Sequence, residues 1–422
     1  MSLDFSALAA EFGTPLYVYD GDVLLEDFAT LRALVPGPME IFYSLKANPN
    51  ITVFDLLRRR GARAEVSSLA EPRTALAAGA APEDIIFLGP GKTEAELAAC
   101  VDAGVYSVVA ESFAEVELID QLAARRDVVQ RVMLRINPAR PPSAARLVMG
   151  GKPRQFGVDE DLVLGSGSRL AEYRHAAVRG VHAYLGTRFL DAKSVVDNTR
   201  YVLDLALRVA EKTGILLDVV DVGGGLGVPY FDNESALDTG LLTTGLGEAV
   251  AEFLTARPGT RLIMEAGRFP TAGCGTYVVS VRSVKRSFGE NFAVTDGGTH
   301  QHMTAVGIGS VIKRNFPVEL LSRASAAPAE PWHVTGPLCT PSDVIAKAAP
   351  LPELREGDLV GVLMSGAYGP TASPGLFLGH GHPAEVVVLG GEARLVRARD
   401  TVEDVLSHQI LCDFSTTTPI GR

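Results

Sequence analysis

Short apolar runs alternate with amphipathic stretches through the first two thirds of the chain. The runs are rich in β-branched residues, and the stretches between them, such as ITVFDLLRRRG and NTRYVLDLALRVAEKTG, repeat apolar residues at helical spacing. Eight such runs lie between residues 39 and 267: MEIFYS, ARAEVSS, DIIFLG, VYSVVAE, RVMLRIN, VRGVHAYLG, LLDVVDVG and RLIMEAG. Eight strand–helix units are typical of a closed parallel barrel, so the pattern predicts an α/β fold of the (β/α)8 TIM-barrel class. An open, doubly wound sheet is the alternative.

The polar residues favour the barrel, because they lie where the predicted strands end. In a closed parallel barrel these ends converge on one mouth, where the loops that follow the strands build the site. We therefore expect one pocket to contain the polar residues at the strand ends, which are Lys46, Glu65, Ser67, Arg135, Asn137, His182, Tyr184, Thr187, residues 223–227 and residues 265–268.

The pattern changes after residue 273, where strand-like runs alternate with Gly-rich turns. Four runs, CGTYVVSVRSVKR, NFAVTDGG, DLVGVLMSG and AEVVVLGGEARLVRARD, predict a C-terminal antiparallel β-domain. The early run PLYVYD is expected to add a strand to it. A chain of 422 residues fits about two domains. We expect a barrel over residues 24–273 and a β-barrel-like domain built from residues 1–23 and 274–422.

Composition and charge exclude several classes of protein. With 39 basic and 50 acidic residues the net charge is −11, so the chain lacks the basic balance of nucleic-acid-binding proteins. The start does not resemble a signal peptide, and no run of 18 uncharged apolar residues occurs, so we expect a cytoplasmic protein without a membrane span. The four cysteines lie far apart without a CxxC pair, which favours reduced thiols and no metal site.

A glycine cluster after the seventh run suggests an anion site. In LLDVVDVGGGLG a buried strand runs into glycines, which allow backbone N–H groups to approach an anion at the start of a helix. The spacing differs from the GxGxxG of dinucleotide-binding proteins. Thr187 and Arg268 would add a hydroxyl and a guanidinium to a phosphate site. Glycines that only permit a tight turn are the alternative.

Lys46 and Glu265 end strands that are otherwise apolar. A carboxylate at Glu265 needs a cationic or donor partner, and a protonated heterocyclic nitrogen would serve. We expect Lys46 to be partly desolvated, with a lowered pKa that allows Schiff-base chemistry; an ordinary ion-paired lysine is the alternative. Together with the phosphate site and the flat ring of Tyr184, these groups match one cofactor, pyridoxal phosphate.

Six motifs occur in one order along the chain: FYSLKANPN, LRINP, GGGLG, EAGR, GPLCTPSD and SGAYG. As an ordered set over roughly residues 15–385, they resemble the fold-type III pyridoxal-phosphate decarboxylases, the alanine-racemase-like group that includes diaminopimelate and ornithine decarboxylases. The resemblance implies a (β/α)8 barrel with a C-terminal β-domain. It also implies a homodimer whose two active sites each contain residues of the partner.

The resemblance further implies roles for individual residues. Lys46 would form the Schiff base, Glu265 would pair with the pyridine nitrogen, and Cys339 would cross the dimer interface to protonate Cα after carbon dioxide leaves. The implied phosphate and cofactor ligands are His182, Tyr184, Thr187, Gly224, Gly225, Gly267, Arg268 and Tyr368, and the implied substrate contacts are Arg135, Thr340 and Asp343. For Cys339, a merely buried cysteine is the alternative.

Two other functions stay open on this scaffold. A racemase or epimerase is disfavoured by Glu265, because barrel racemases of this group place an arginine at the ring nitrogen, and by Cys339. A catalytically silent paralogue is disfavoured by the presence of Lys46, Arg268 and Tyr368.

The departures from the family pattern concern the substrate. In diaminopimelate and ornithine decarboxylases the residue after the motif cysteine is an acid that pairs with the distal ammonium of the substrate; here it is Thr340. An unpaired buried cation costs on the order of several kcal/mol, so ornithine, lysine and diaminopimelate are disfavoured. The segment that grips the distal carboxylate of diaminopimelate is replaced by THQHMTAVGIG, and Tyr184 replaces the histidine that stacks on the cofactor.

Three segments, DGGTHQH, KRNFPV and SGAYGPTASPGLFLGH, resemble decarboxylases of specialised metabolism that act on amino acids thioesterified to an acyl carrier protein. We therefore predict decarboxylation of a carrier-bound acidic or β-amino acid unit of the aspartyl, methylaspartyl or glutamyl type. A free amino acid such as diaminopimelate, or a siderophore intermediate, is the alternative.

The stretch 139–155 follows the fifth run and contains Arg140, Arg146, Lys152 and Arg154 but no acid. We expect it to be the active-site loop and to meet an acidic carrier protein or the phosphate of its phosphopantetheine arm. A solvated basic loop without a partner is the alternative.

Overall fold

The computed structural model of the chain describes residues 3–139, 147–148, 150–306, 314–324 and 329–413. The described chain begins with helix α1 (Phe5–Phe12), strand β1 (Leu16–Asp20) and helix α2 (Gly21–Leu34). Asp20 ends the strand and caps the helix, since its carboxylate accepts hydrogen bonds from the backbone N–H groups of Asp22 and Val23. One side chain thus sets the sharp change from strand to helix.

Eight parallel strands close into a barrel. The strands between residues 39 and 266 are β2 (Met39–Ser44), β3 (Arg63–Val66), β4 (Ile85–Phe87), β5 (Ser107–Ala110), β6 (Gln130–Asn137), β7 (Leu147–Val148), β8 (Val158–Asp159), β9 (Ala176–His182), β10 (Gly186–Thr187), β11 (Val219–Asp221) and β12 (Arg261–Ala266). In the barrel the order is β5-β4-β3-β2-β12-β11-β9-β6, and β5 also pairs with β6. Every one of these pairs is parallel. The barrel prediction is confirmed, and the open-sheet alternative is wrong because the pairing closes on itself.

Helices surround the barrel. They are α3 (Ile51–Arg58), α4 (Ala70–Ala77), α5 (Glu94–Ala103), α6 (Phe113–Ala124), α7 (Glu160–Leu164), α8 (Arg169–Glu172), α9 (Ala192–Thr213), α10 (Thr239–Ala256) and α11 (Arg268–Thr271). Asp191 caps the first turn of α9, and Gly214, with a φ of 72°, ends it. The buried residues of α9 repeat at helical spacing and pack against β9 and α10. In the part of the chain that the structure describes, no helix combines the length and the apolar character that a membrane crossing requires.

The barrel interior is filled with apolar side chains. Successive side chains on a strand face opposite sides, and one set of buried residues forms a cluster of its own: Phe42, Ile86, Leu88, Val109, Met133, Val219 and Ile263. The alternate residues, such as Ile41, Tyr43 and Val108, belong to the larger cluster that packs against the helices. The filled interior leaves the carboxyl ends of the strands as the place where polar groups gather.

A second sheet is built around β1. Its other strands are β13 (Gly275–Ser287), β14 (Glu290–Thr295), β15 (Val318–Leu320), β16 (Glu330–Thr335), β17 (Val344–Leu351), β18 (Leu359–Val362), β19 (Ala384–Leu389) and β20 (Glu392–Arg397), and helix α12 (Val402–Leu406) follows. The order is β17-β16-β14-β13-β1-β19-β20, with β18 paired to β13 and β15. The predicted C-terminal antiparallel sheet is confirmed, although β1 with β19 and β14 with β16 are parallel pairs. Through β1, the N-terminal residues are hydrogen-bonded between β13 and β19.

The sequence pattern does not predict strands β16 and β17. The β17 sequence VIAKAAPL is rich in alanine, which does not favour strands, and it contains Lys347 and Pro350. Its conformation comes from pairing with β16, whose residues in turn pair with β14. Pairing over long sequence distances, and not local preference, decides this part of the fold.

We expect Phe42→Ala to lower the free energy of unfolding by about 3–5 kcal/mol, because Phe42 is fully buried in the barrel interior and its removal leaves a cavity. Urea denaturation followed by circular dichroism measures the loss. Phe288→Ala is the matched control: Phe288 is fully exposed, so its removal should change stability by less than about 0.5 kcal/mol. Equal losses for the two variants would contradict a tightly packed interior.

Candidate active site

A cavity of about 380 Å³ opens at the carboxyl ends of the barrel strands. Its volume is that of a site for a small ligand or cofactor. Eight predicted site residues line it: Lys46, Arg135, His182, Tyr184, Thr187, Glu265, Arg268 and Tyr368. The other lining residues are Ser67, Leu88, Gly89, Pro90 and Phe156, of which the strand-end pattern indicates only Ser67. The structure therefore brings most of the predicted polar groups into one pocket.

Lys46 lies on a 3₁₀ turn, Leu45–Ala47, directly after β2. Its Nζ is 2.8 Å from Oε2 of Glu65 and 4.0 Å from Oε2 of Glu265, and the side chain keeps 40% exposure because it lines the open cavity. Burial among protein groups pulls the pKa of Lys46 down, but the charges of Glu65 and Glu265 outweigh it and raise the pKa above its ordinary value. The expected lowered pKa is therefore wrong for this structure, in which Lys46 is an ion-paired ammonium.

Glu265 is a buried carboxylate with one oxygen left open. Its side chain is 2% exposed, and Oε1 is 2.8 Å from Nε2 of His182. Oε2 has no hydrogen-bond partner among the described residues. Burial raises the pKa of Glu265, but the hydrogen bond from His182 and the charge of Lys46 outweigh it and hold the pKa below its usual value. The site thus offers an ionised acceptor to a donor in the cavity.

Two buried groups lie behind Glu265. Burial lowers the pKa of His182, so its imidazole is neutral and donates from Nε2 to Glu265. Asp221 accepts a hydrogen bond from the backbone N–H of Gly223 at 2.8 Å, and burial together with the charge of Glu265 raises its pKa. The ligand atoms of the three side chains lie within 4.8 Å of one another, a spacing that a cation could use. We assign no metal, because Nε2 of His182 and Oε1 of Glu265 are already hydrogen-bonded to each other.

The glycine cluster follows β11 and requires the absence of side chains. Gly223 and Gly225 have φ values of 70° and 96°. A Cβ at Gly224 would collide with the carbonyl oxygen of Glu265, and one at Gly225 with the carbonyl oxygen of Gly186. A Cβ at Gly267, just before α11, would lie 2.8 Å from the Cβ of Ala47. These glycines let neighbouring backbone segments pack closely on one another, and Gly223 and Gly224 line a small second pocket with Leu185 and Phe189.

Arg268 supplies the positive charge beside the glycine cluster. Its NH1 donates to the hydroxyl of Tyr230 at 2.8 Å, and its guanidinium lies 4.6 Å from the ring centroid of Tyr368. Its Nε is buried and has no partner among the described residues. Thr187, on β10, lines the same cavity. Tyr230 holds Arg268 in place, and sequence reasoning missed it although it follows the GGGLG motif closely.

Arg135 is already paired within the chain. Its NH1 lies 2.7 Å from Oε1 of Glu111, both side chains are buried, and its guanidinium stacks 4.5 Å from the ring centroid of Phe156. Glu111 also accepts a hydrogen bond from the backbone N–H of Gly157. The part of the wall that Arg135 and Phe156 share with Leu88, Gly89 and Pro90 is therefore electrically neutral.

Cys339, Thr340 and Asp343 do not line this cavity. They lie on the loop between β16 and β17, where the Cys339 thiol is exposed and Thr340 Oγ1 is 2.9 Å from Oγ of Ser342. The Asp343 carboxylate is 2% exposed and accepts hydrogen bonds from the N–H and hydroxyl of Thr299 and from the N–H of Leu338. Asp343 therefore fixes the loop, and its expected role as a substrate contact stays a prediction. Within one subunit these residues stay apart from Lys46.

The described part of the basic stretch leads to the cavity wall. Arg140 and Arg146 lie outside the described residues, whereas Lys152 and Arg154 are described and exposed. Asn137, at the end of β6, donates to the carbonyl of Lys152 at 3.2 Å and accepts from the N–H of Gly151 at 3.0 Å. Phe156, two residues after Arg154, lines the cavity. Both cations are therefore exposed on a segment that leads to Phe156 in the cavity wall.

The pyridoxal-binding domain of the pyridoxal-dependent decarboxylases matches residues 22–272. The chain belongs to this family. It is 39% identical over 417 residues, 97% of each chain, to an L-glutamyl-(BtrI acyl-carrier protein) decarboxylase of Niallia circulans. It is 32% identical over 408 residues, 96% of this chain and 95% of the relative, to the diaminopimelate decarboxylase of Pseudomonas aeruginosa. The structure of Helicobacter pylori diaminopimelate decarboxylase with L-lysine matches with a TM-score of 0.85 and 26% identity over 96% of this chain and 98% of that one.

The family confirms that the protein is a pyridoxal-phosphate-dependent carboxy-lyase, and the site fits the cofactor. The open Oε2 of Glu265 can accept from a protonated ring nitrogen, and an amine, Lys46, lies 4.0 Å from it. The buried Nε of Arg268 and the side-chain-free Gly224 leave donors and space for a phosphate. The predictions of cofactor and reaction class are therefore confirmed.

Because Glu65 is the nearest charge to Lys46, we expect Glu65→Gln to lower the pKa of Lys46 by about 1–3 pH units. Reductive methylation of the cofactor-free protein at a series of pH values, with peptide mass spectrometry of Lys46, measures the change. Glu115→Gln is the matched control, since Glu115 pairs with Lys92 at 3.0 Å instead. An unchanged pH midpoint for Lys46 in Glu65→Gln would contradict the assigned ion pair.

Proposed function

We propose that this enzyme removes the α-carboxyl group, as carbon dioxide, from an acidic amino-acyl unit that is thioesterified to a carrier protein. The unit is of the glutamyl, aspartyl or methylaspartyl type. The observation that carries this proposal is the neutral wall around Arg135 and Phe156 together with Thr340 in place of an acid. The name of the relative at 39% identity, a decarboxylase of a glutamyl-carrier, supports the same substrate class.

The wall selects by charge. A free basic amino acid presents a distal ammonium, and the described residues of this wall offer it no unpaired carboxylate. Leaving such a cation unpaired costs on the order of several kcal/mol. A side-chain carboxyl that is bound as a thioester is neutral, so it needs no ionic partner and fits beside Phe156 and Pro90.

We assign the cofactor to the residues that line the cavity and the glycine cluster. The proposed holders are Lys46, His182, Tyr184, Thr187, Gly224, Gly225, Glu265, Gly267, Arg268 and Tyr368. When bound, pyridoxal phosphate supplies a conjugated ring that accepts the electron pair of the Cα–carboxyl bond. Thr187, Arg268 and the backbone around Gly224 would hold the phosphate, and Tyr184 would offer the face of its ring.

Glu265 and its neighbours control the proton at the ring nitrogen. Oε2 of Glu265, which has no partner among the described residues, would accept from that N–H, and the negative charge of the carboxylate would keep the proton in place. Neutral His182 donates to Oε1, which fixes the plane of the carboxylate. A protonated His182 would neutralise the charge of Glu265 and weaken its hydrogen bond to the ring nitrogen. Burial opposes this protonation, because it lowers the pKa of His182.

Lys46 must lose a proton before its amine can react with a carbonyl carbon. Oε2 of Glu65, at 2.8 Å from Nζ, is the nearest acceptor for that proton. The ring of Tyr184, with its centroid 5.9 Å from Nζ, borders the same space. Glu65 therefore orients Lys46 and favours its charged form, so the amine becomes reactive only when this ion pair is disturbed.

We further propose that the enzyme is a homodimer, in which Cys339 of the partner subunit protonates Cα after carbon dioxide leaves. The support is that Cys339 is exposed on a loop that Asp343 holds to Thr299. Leu376, Phe377 and Leu378 add exposed apolar side chains in the same part of the chain that continues from Tyr368. A thiol that reacts in another subunit has to be exposed in the single chain.

Purified enzyme with pyridoxal phosphate should release carbon dioxide from a glutamyl, aspartyl or methylaspartyl group that is loaded on a carrier protein. Mass spectrometry of the loaded carrier measures the loss of one carbon dioxide. Free diaminopimelate, ornithine, lysine, arginine and glutamate are the comparison substrates. Turnover of free diaminopimelate or of a free basic amino acid at a rate above that of every loaded carrier would overturn the proposal.

Charge reversal at Lys152 and Arg154 tests the contact with the carrier. We expect the double variant Lys152→Glu, Arg154→Glu to slow turnover of a loaded carrier by about tenfold at low salt, because both cations are exposed just before Phe156 of the cavity wall and carrier proteins of this kind are acidic. Turnover of a small thioester without a carrier should stay unchanged. Arg394→Glu, on the exposed strand β20, is the matched control. Unchanged turnover of the loaded carrier would contradict the contact and favour the alternative, a solvated basic loop without a partner.

A further inference from the structure

The turn that carries Lys46 is held by a carboxylate from the second sheet. Glu385 lies on β19 and is 3% exposed. Its Oε2 accepts a hydrogen bond of 2.9 Å from Nδ2 of Asn50, four residues after Lys46. The Oδ1 of Asn50 caps helix α3 by accepting from the N–H of Thr52 at 3.0 Å. Glu385 thus reaches the start of α3 from a strand that is 335 residues away in sequence.

Two further hydrogen bonds join the same turn to the segment before β19. The Nδ2 of Asn48 donates to the carbonyl of Gly366 at 3.1 Å, and the N–H of Tyr368 donates to the carbonyl of Ala47 at 2.7 Å. Inside the turn, Oδ1 of Asn48 accepts from the N–H of Asn50 at 3.2 Å. Residues on both sides of Lys46 are therefore fixed to the part of the chain that contains Tyr368.

Burying the carboxyl group of Glu385 costs free energy, and a residue needed only for packing would avoid this cost. Burial raises the pKa of its carboxyl, and the hydrogen bond from Asn50 opposes this. The nearest cation is Arg397, whose Nε lies 3.9 Å from Oε1, but Arg397 also pairs with Asp400 at 3.0 Å. A cavity of about 100 Å³, lined in part by Tyr19 and Pro370, lies beside these groups. An apolar side chain would fill this space at lower cost.

We propose that Glu385 is a positioning residue for Lys46. Its carboxylate fixes the Asn50 amide, and through Asn50 and Asn48 it fixes the turn Leu45–Ala47, so that Nζ of Lys46 is presented to the cofactor. This inference rests on the proposed role of Lys46 as the amine that binds pyridoxal phosphate. It adds a group of the second sheet that touches neither cofactor nor substrate and acts through the Lys46 turn.

The rate at which Lys46 captures the cofactor tests this positioning. Cofactor-free protein is mixed with pyridoxal phosphate, and the Lys46 amine condenses with the aldehyde with loss of water. Borohydride, added at timed intervals, delivers hydride to the same carbon, and peptide mass spectrometry then quantifies labelled Lys46. The midpoint of thermal unfolding is measured in parallel for each protein.

Four variants separate positioning from stability. Glu385→Ala should slow capture by about tenfold, because a hydrogen bond to a charged group is lost. Glu385→Gln, whose amide oxygen still accepts from Asn50, should stay within about threefold of the unaltered protein. Asn50→Ser keeps a helix cap but lacks the Nδ2 donor, so it should slow capture as Glu385→Ala does. Asp358→Ala is the control, since Asp358 is a buried carboxylate that binds Ser322 and Arg323 instead.

Slow capture in both Glu385→Ala and Asn50→Ser, with normal capture in Glu385→Gln and Asp358→Ala, supports the inference. Normal capture in Glu385→Ala or in Asn50→Ser overturns it. Capture that slows in Asp358→Ala as much as in Glu385→Ala also overturns it, because general loss of stability then explains the effect. If the unaltered protein incorporates no label at Lys46, the proposed site itself is wrong, and the two failures are thereby distinguished.

Discussion

The ionised carboxylate of Glu265 is the constraint around which the site is arranged. A carboxylate with 2% exposure needs compensation, and it obtains this from a hydrogen bond with His182 and from the charge of Lys46. Burial lowers the pKa of His182, so its neutral imidazole donates to Glu265, and burial together with the charge of Glu265 raises the pKa of Asp221. The backbone carbonyl oxygen of Glu265 leaves no room for a side chain at Gly224. Burial and this one residue thus act together on the protonation of Asp221, and the backbone of Glu265 requires a glycine at position 224.

The two sheets contribute in different ways to this arrangement. The barrel supplies the groups at the strand ends, including Lys46, His182 and Glu265. Its interior below them is filled with apolar side chains. The second sheet reaches the turn of Lys46 through Glu385 and the segment that contains Tyr368. Because residues on both sides of Lys46 are hydrogen-bonded to this part of the chain, the position of its amine depends on how the two sheets pack, and not on the barrel alone.

Two cationic side chains at the cavity, one lysine and one arginine, are paired inside the chain. Lys46 is paired with Glu65, and Arg135 with Glu111, so neither is available to a distal charge of the substrate. The part of the wall that Arg135 shares with Leu88, Gly89 and Pro90 is otherwise apolar, with Phe156 as its largest side chain. Under the proposed function, selectivity would come from what a charged substrate leaves unpaired there, and a neutral thioester would avoid this cost.

The sequence by itself determined the barrel and the composition of most of the pocket. Eight alternating strands and helices can form a closed parallel barrel in only a few ways. Closure brings the strand ends at Lys46, Tyr184 and Glu265 to one mouth of the barrel, whatever the details of side-chain packing. The motif order determined the family. Neither inference needs interatomic distances. Strand topology places the pocket residues together, and the order of motifs along the chain indicates the family.

Only the tertiary structure decided how the charges pair. The lowered pKa expected for Lys46 failed because Glu65 lies 2.8 Å away on the neighbouring strand, and a hydrophobic pattern contains no such distance. The same holds for Tyr230 beside Arg268 and for Glu385 beside Asn50. Asp343 belongs to the GPLCTPSD motif, yet its carboxylate accepts hydrogen bonds from the N–H and hydroxyl of Thr299 within the same chain. Electrostatic interactions depend on separations of a few ångströms between residues far apart in sequence, and those separations are set only when the chain has packed.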